Sequence, residues 1–216
     1  MDITWYGLNC FRLTERSQLT IVTDPYFDET GLVAPKLKGD VVTISHNEPG
    51  YNAAEQVKGQ RYILGGPGEY EIGGVFVTGI PMHYHDESKG DYRYNVAYLF
   101  KYPNDISVLH LGNLAHVPDQ STIQDLGEIH AALVPVGGKG TLNAAQAAEV
   151  IALIEPYYIV PMHYQLPGLA LELDPVEKFV KAMGVSAVEE QDALRLNSTV
   201  LPEQPEVVVL QPNVGE

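Results

Sequence analysis

Short apolar runs between turn residues set the rhythm of the first half of the chain. Runs rich in β-branched and aromatic residues at Ile3–Tyr6, Cys10–Leu13, Leu19–Thr23, Val41–Ser45, Arg61–Leu64, Val75–Thr78, Asn95–Lys101 and Ile106–Leu111 predict strands. Several are continuous and do not alternate, as in Val41-Val42-Thr43-Ile44 and Ala131-Ala132-Leu133-Val134, which suits strands covered on both faces. Helices should therefore flank the sheets, and the second half supplies them. Asn143 is placed to cap a helix carrying Ala144, Ala147, Ala148, Ile151 and Ile154 on one face, with Pro156 at its end. Asp174 predicts a second N-cap, with Pro175 at the first helical position and Glu177 three residues after the cap. Val176, Phe179, Val180 and Met183 form its apolar stripe, and Gly184 is the stop. Weaker helical patterns span Asn52–Lys58 and Asp119–Leu126, and Val207–Leu210, set among prolines, reads as an edge strand.

Composition narrows the class. The chain has 216 residues, 45% apolar and 19% charged, with 20 Gly and 15 Pro, which suits one turn-rich globular domain over 1–216. Its 28 acidic residues against 13 Lys and Arg give a formal net charge of −15, which argues against nucleic acid and anionic membrane surfaces as partners. No apolar run approaches the ~18–20 residues of a transmembrane helix, and Met1-Asp2-Ile3-Thr4 lacks the features of a signal peptide, so a cytoplasmic location is expected. Cys10 is the only cysteine, so any metal site must use His and carboxylate.

Five of the seven histidines gather at strand ends, where functional sites collect: His46, His85, the pair His110 and His116, and His163. The order and spacing of Ile3-Thr4-Trp5-Tyr6-Gly7 with Cys10-Phe11, Thr23-Asp24-Pro25-Tyr26, Thr43-Ile44-Ser45-His46, Gly66-Pro67-Gly68-Glu69-Tyr70-Glu71-Ile72-Gly73-Gly74, His110-Leu111-Gly112-Asn113-Leu114-Ala115-His116, Val134-Pro135-Val136-Gly137-Gly138 and Pro161-Met162-His163-Tyr164 resemble the metallo-β-lactamase fold. The motifs are similar to the branch that includes L-ascorbate-6-phosphate lactonase. The resemblance implies an α/β fold, a four-layer αβ/βα sandwich, with a metal cluster at one edge between the two sheets.

The active-site motifs depart from that family. Its ligand motif reads His-any-His-any-Asp-His, whereas this chain reads His46-Asn47-Glu48-Pro49-Gly50-Tyr51; Leu8 and Asn9 replace the usual His and Ser, and Asn113 replaces an Asp. The resemblance places one metal on His46, Glu48 and His85, with His83 an alternative to His85. Two imidazoles and a carboxylate suit zinc, manganese or iron. Alternatively no metal binds, and Glu48 pairs with His46 or His85. The second site falls on Gly50, Tyr51, Asn113 and His163, where no anionic ligand is left, so a second metal is not expected. Tyr51 would plug the vacated volume, and His163 and Asn113 could bond each other. His116 reads as a supporting residue, and His83, His110 and His130 receive no role of their own. Lys139, in a Gly-rich turn, is a candidate contact for an anionic substrate.

Two functions follow. One is a hydrolase, at most mononuclear, acting on an ester, lactone or phosphoester, with Glu48, Asp86 and His163 as the candidate catalytic groups; the aspartate that the family uses to orient hydroxide is Gly50 here. The other is a pseudoenzyme, a non-catalytic descendant that binds a small molecule or a protein. The resemblance also implies a homo-oligomer.

Overall fold

A computed structural model describes residues 1–86 and 91–213, with the side chains of His85, Asp86 and Asp91 outside the described set. Two mixed sheets form its frame. The first holds β1 (Asp2–Trp5), β2 (Phe11–Thr14), β3 (Ile21–Thr23), β4 (Val41–Thr43), β5 (Tyr62–Leu64) and β14 (Leu194–Arg195), in the order β14-β1-β2-β3-β4-β5. The second holds β6 (Gly68–Ile72), β7 (Val75–Pro81), β10 (Val96–Lys101), β11 (Ser107–His110), β12 (Ala131–Pro135), β13 (Tyr158–Met162) and β15 (Glu206–Val207), in the order β15-β13-β12-β11-β10-β7-β6. A hairpin of β8 (Tyr84–Asp86) and β9 (Asp91–Arg93) stands apart.

Each sheet changes from antiparallel to parallel pairing. In the first, β14, β1, β2 and β3 are antiparallel, and β3, β4 and β5 run parallel. In the second, β6, β7, β10 and β11 are antiparallel, and β11, β12, β13 and β15 run parallel. The parallel strands β3, β4 and β12 are buried at every position, as their unbroken apolar runs predict.

The helices gather in the second half of the chain. In α2 (Ala144–Ile154), Asn143 accepts from the N–H groups of Ala145 and Gln146, and the Gln146 side chain returns a bond to the Asn143 N–H, a complete capping box. The other cap shifts by one residue. Pro175, not Asp174, precedes α3 (Val176–Ala182), and the Asp174 carboxylate instead accepts from Lys178 Nζ at 2.6 Å. The pattern at Asp119–Leu126 yields the single-turn α1 (Gln120–Gln124), and the pattern at Asn52–Lys58 yields only a 3-10 turn at Ala54–Gln56. The outer layer of the first sheet is thus built from loops and short turns whose Leu37, Ala54 and Val57 are buried, not from long helices.

The core lies between the sheets. Trp5 of β1 packs on Tyr164, just beyond β13, with centroids 4.9 Å apart. Tyr98 of β10 reaches across to donate its hydroxyl to the carbonyls of Leu64 (2.9 Å) and Ile44 (3.2 Å) of the other sheet. That bond satisfies a buried hydroxyl and fixes the sheets against each other at the point where β4 ends. Among the described residues, no helix is long and apolar enough to cross a membrane.

Candidate functional site

The parallel strands of both sheets end at one edge, where α/β folds assemble sites from the residues just past each strand. Asp24 follows β3, Ser45 and His46 lie just beyond β4, His110 closes β11, and His163 follows β13. Asn9 approaches from the turn before β2. Asp24, Leu8 and His163 have φ of 38°, 48° and 53°, so three non-glycine residues are held in the left-handed region around this edge.

Close backbone approach makes the assembly possible. A Cβ on Gly112, whose φ is +60°, would lie 2.4 Å from Ser45 Cβ and 2.5 Å from Asn95 Oδ1. A Cβ on Gly137 would lie 2.2 Å from the His163 carbonyl oxygen. The Asn95 side chain then donates to the Leu111 carbonyl and accepts from the Asn113 N–H, fixing the loop that presents Asn113.

One relay orients His46. The Asp24 carboxylate accepts from the Ser45 N–H (2.6 Å) and from Ser45 Oγ (2.5 Å). Ser45 Oγ has then given its proton away, so it accepts from His46 Nδ1–H at 2.8 Å. His46 Nε2 is left as a lone pair, buried and without a hydrogen-bond partner. Burial pulls the His46 pKa down to about 4, so the ring is neutral. Burial also pushes Asp24 up to about 7, against the two Ser45 hydrogen bonds that favour its ionised form.

A second network surrounds Asn9, which is buried. Its Oδ1 accepts from His163 Nδ1–H at 3.0 Å, and its Nδ2 donates to Asn113 Oδ1 at 3.0 Å. Its backbone carbonyl accepts from His110 Nε2–H at 2.9 Å and from the Thr23 hydroxyl at 2.7 Å. His163 and His110 are buried and neutral, their pKa values lowered by desolvation to about 3 and about 4, with His46 a further lowering influence on both. His110 Nε2 lies 3.9 Å from Asp24, so a neutral His110 makes no full ion pair there.

The residues expected to bind metal are placed unevenly. His46 is buried with a free donor, whereas the Glu48 side chain is exposed, on the turn whose N–H at Tyr51 bonds the Glu48 carbonyl. The expected salt link between Glu48 and His46 is not formed, and burial instead lowers the His46 pKa. The expected ligand His85 and the expected catalytic Asp86 lie on β8 with side chains outside the described residues. His83 accepts from the Asn95 N–H at 3.1 Å and stacks on Tyr94 at 4.5 Å. Among the described residues, no group of three His, Cys, Asp or Glu side chains gathers to hold an ion.

At the second set, Gly50 offers no donor, and the Tyr51 ring is half-buried 5.6 Å from that of His46. Asn113 and His163 do not bond each other directly, because Asn9 stands between them. Those positions do not fit a dication, since Asn113 and His163 are neutral donors and no carboxylate stands among them. The orphaned His46 Nε2 does fit one, being the deprotonated nitrogen a metal requires. Lys139 is exposed on its turn with φ +53°. Asn9, Asp24, Ser45 and His110 carry the networks although their sequence neighbours assign them no chemistry; for Asp24 the available signal was an acid directly after a fully buried strand.

A family model for the β-lactamase superfamily domain matches residues 2–163. A UPF0173 metal-dependent hydrolase of Pyrococcus abyssi is 31% identical over 173 residues, covering 78% of this chain and 75% of the relative. One of Koribacter versatilis is 28% identical over 220 residues, covering 86% and 94%. A crystal structure from Thermotoga maritima, assigned to the metallo-β-lactamase superfamily, superimposes with a TM-score of 0.78 at 35% identity over 97% of both chains. An isothiocyanate hydrolase from Delia radicum gut bacteria shares the fold at 12% identity, with a TM-score of 0.67 over 98% and 97% of the chains.

Proposed function

Because the chain belongs to the β-lactamase superfamily and, within it, to the UPF0173 metal-dependent hydrolases, we propose that it is a hydrolase-like protein that holds at most one metal ion. The observation that carries this reading is the buried, unpartnered Nε2 of His46, aimed by Ser45 and Asp24. His46 would hold the ion, with Glu48 brought in from its exposed turn and His85 supplied by β8. A divalent ion bound there supplies Lewis acidity toward a substrate oxygen and lowers the pKa of water to ~7. The substrate class is an ester, lactone or phosphoester, as in the lactonase-like branch that the motifs resemble, acted on in the cytoplasm.

The chain's own residues divide the remaining work. Asp24 and Ser45 keep His46 in the tautomer that presents Nε2. Asn9 holds His163 with its Nδ1–H donated, so Nε2 is left as an acceptor toward a ligand. Burial lowers the His163 pKa to about 3, which favours an orienting role for His163 over that of a base.

Metal content by mass spectrometry tests the reading, on untagged protein purified without chelator and on its His46→Ala and Glu48→Ala variants. The expected result is close to one ion per chain, lost in both variants. Two ions per chain would overturn the mononuclear reading. No ion after incubation with zinc, manganese or iron would overturn the hydrolase and leave the second reading, a non-catalytic binding protein. That reading is favoured by one observation of its own, the exposure of Glu48: among the described residues no group of three His, Cys, Asp or Glu side chains gathers around His46.

A further inference from the structure

The first sheet has a polar pocket on its other face. Phe11 and Leu13 of β2 are fully buried, with the Phe11 ring 6.1 Å from His110, so the alternate residues Arg12 and Thr14 point away from the inter-sheet core. They line a pocket of about 380 Å³ together with Thr20, Lys38, Gly39 and Asp40. The Arg12 guanidinium lies over the Tyr6 ring at 5.8 Å, and its Nε is buried with no hydrogen-bond partner. Among the described residues, neither the Arg12 nor the Lys38 side chain has a hydrogen-bond or ion-pair partner. The pocket's acid, Asp40, directs Oδ2 to the Thr20 N–H at 3.0 Å.

Acids outnumber Lys and Arg by 28 to 13 in this chain, yet two cations line one pocket unpaired. We propose that this pocket binds a small phosphate monoester by its phosphate group. Arginine matches an oxyanion with a planar fork of donors, lysine adds a point charge, and the Thr14 and Thr20 hydroxyls are further donors. The volume lies within the ~300–1,000 Å³ of small-molecule sites. The buried Nε of Arg12 marks a donor whose desolvation an anion would offset. The site shares no residue with the His46 edge and does not depend on a metal there.

Thermal unfolding in a titration of inorganic phosphate and glycerol phosphate, against sodium chloride and acetate at matched ionic strength, tests the proposal on the full chain. Both phosphates should raise the melting temperature saturably, and chloride and acetate should not. Arg12→Gln should abolish the response. Lys38→Gln changes an exposed side chain without a partner, so it folds in any case, and it should weaken the apparent Kd about tenfold, the worth of one charge-assisted contact. His46→Ala should leave the response intact. An equal shift with chloride, an unchanged Kd in Lys38→Gln, or loss of the response in His46→Ala would each overturn the assignment.

Discussion

Replacing Asn9 by Ala tests how much the neutral network joining His163, Asn9 and Asn113 stabilises the fold. Two hydrogen bonds of 3.0 Å are lost. At one end the donor on His163 is buried, at 3% exposure, and a buried donor left unpaired costs about 1–3 kcal/mol. At the other end Asn113 is half-buried and water can replace the amide, so that bond contributes about 0.5–1.5 kcal/mol. Asn9→Ala should therefore lower the unfolding free energy by about 2–4 kcal/mol, read as a shifted urea midpoint at unchanged slope. Asn113→Ala alone should cost about 1 kcal/mol, and the double variant should fall short of the sum by more than the ~0.5 kcal/mol scatter of independent sites. The same losses should appear with and without chelator. A shift below about 0.5 kcal/mol for Asn9→Ala, or strict additivity, would refute the reasoning.

Gly112→Ala should destabilise by about 3 kcal/mol or more, because its Cβ would sit 2.4 Å from Ser45 Cβ in a left-handed backbone; Gly184→Ala, with nothing within 4 Å, isolates the backbone share in the same denaturation assay. Tyr98→Phe should cost about 1 kcal/mol through its two inter-sheet acceptors, measured in the same way. Acid should unfold the metal-free protein. His46, His110 and His163 are held at about 4, about 4 and about 3, so the unfolded chain takes up protons below pH 6.5 that the folded one refuses. Their contribution is complete above pH 6.5 and is lost as pH falls toward 4, at about 3 kcal/mol or more for each. Asp24, raised to about 7, acts with the opposite sign: it favours the fold at low pH and loses that as pH rises from 3.8 through 7. Asp24→Asn should thus steepen the acid transition, and stability that is flat from pH 5 to 7 in the parent protein would contradict this balance.

Much of the fold was legible because burial on both faces demands unbroken apolar runs, as in β4 and β12, and because Asn143 offers a cap with Gln146 in position to complete it. Other elements left weaker marks. Residues of β6 lie among glycines and are not among the expected strands, yet they pair in full register with β7. Asp174 has the chemistry of a cap but is drawn to Lys178. At the site, the ends of the strands were readable, and His46 with them. The exposed position of Glu48 was not, since whether a carboxylate turns inward depends on the path of its turn. Asn9 gave no sign of its weight, because its partners His163 and Asn113 lie 154 and 104 residues away in sequence.

The pairing of β1 with β14 has a consequence for the order in which the protein is made. Asp2 and Ile3 find their partners only at Arg195 and Leu194, and the Leu196 N–H closes on the Met1 carbonyl. On a ribosome working at about 5–20 residues per second, the free edge of β1 stays uncovered for roughly 10–40 s while the rest of the chain emerges. Exposed strand edges recruit other chains, and the polar Asp2 and Thr4 along β1 are the kind of residue that discourages it. The β1 edge is thus made long before the strand that seals it.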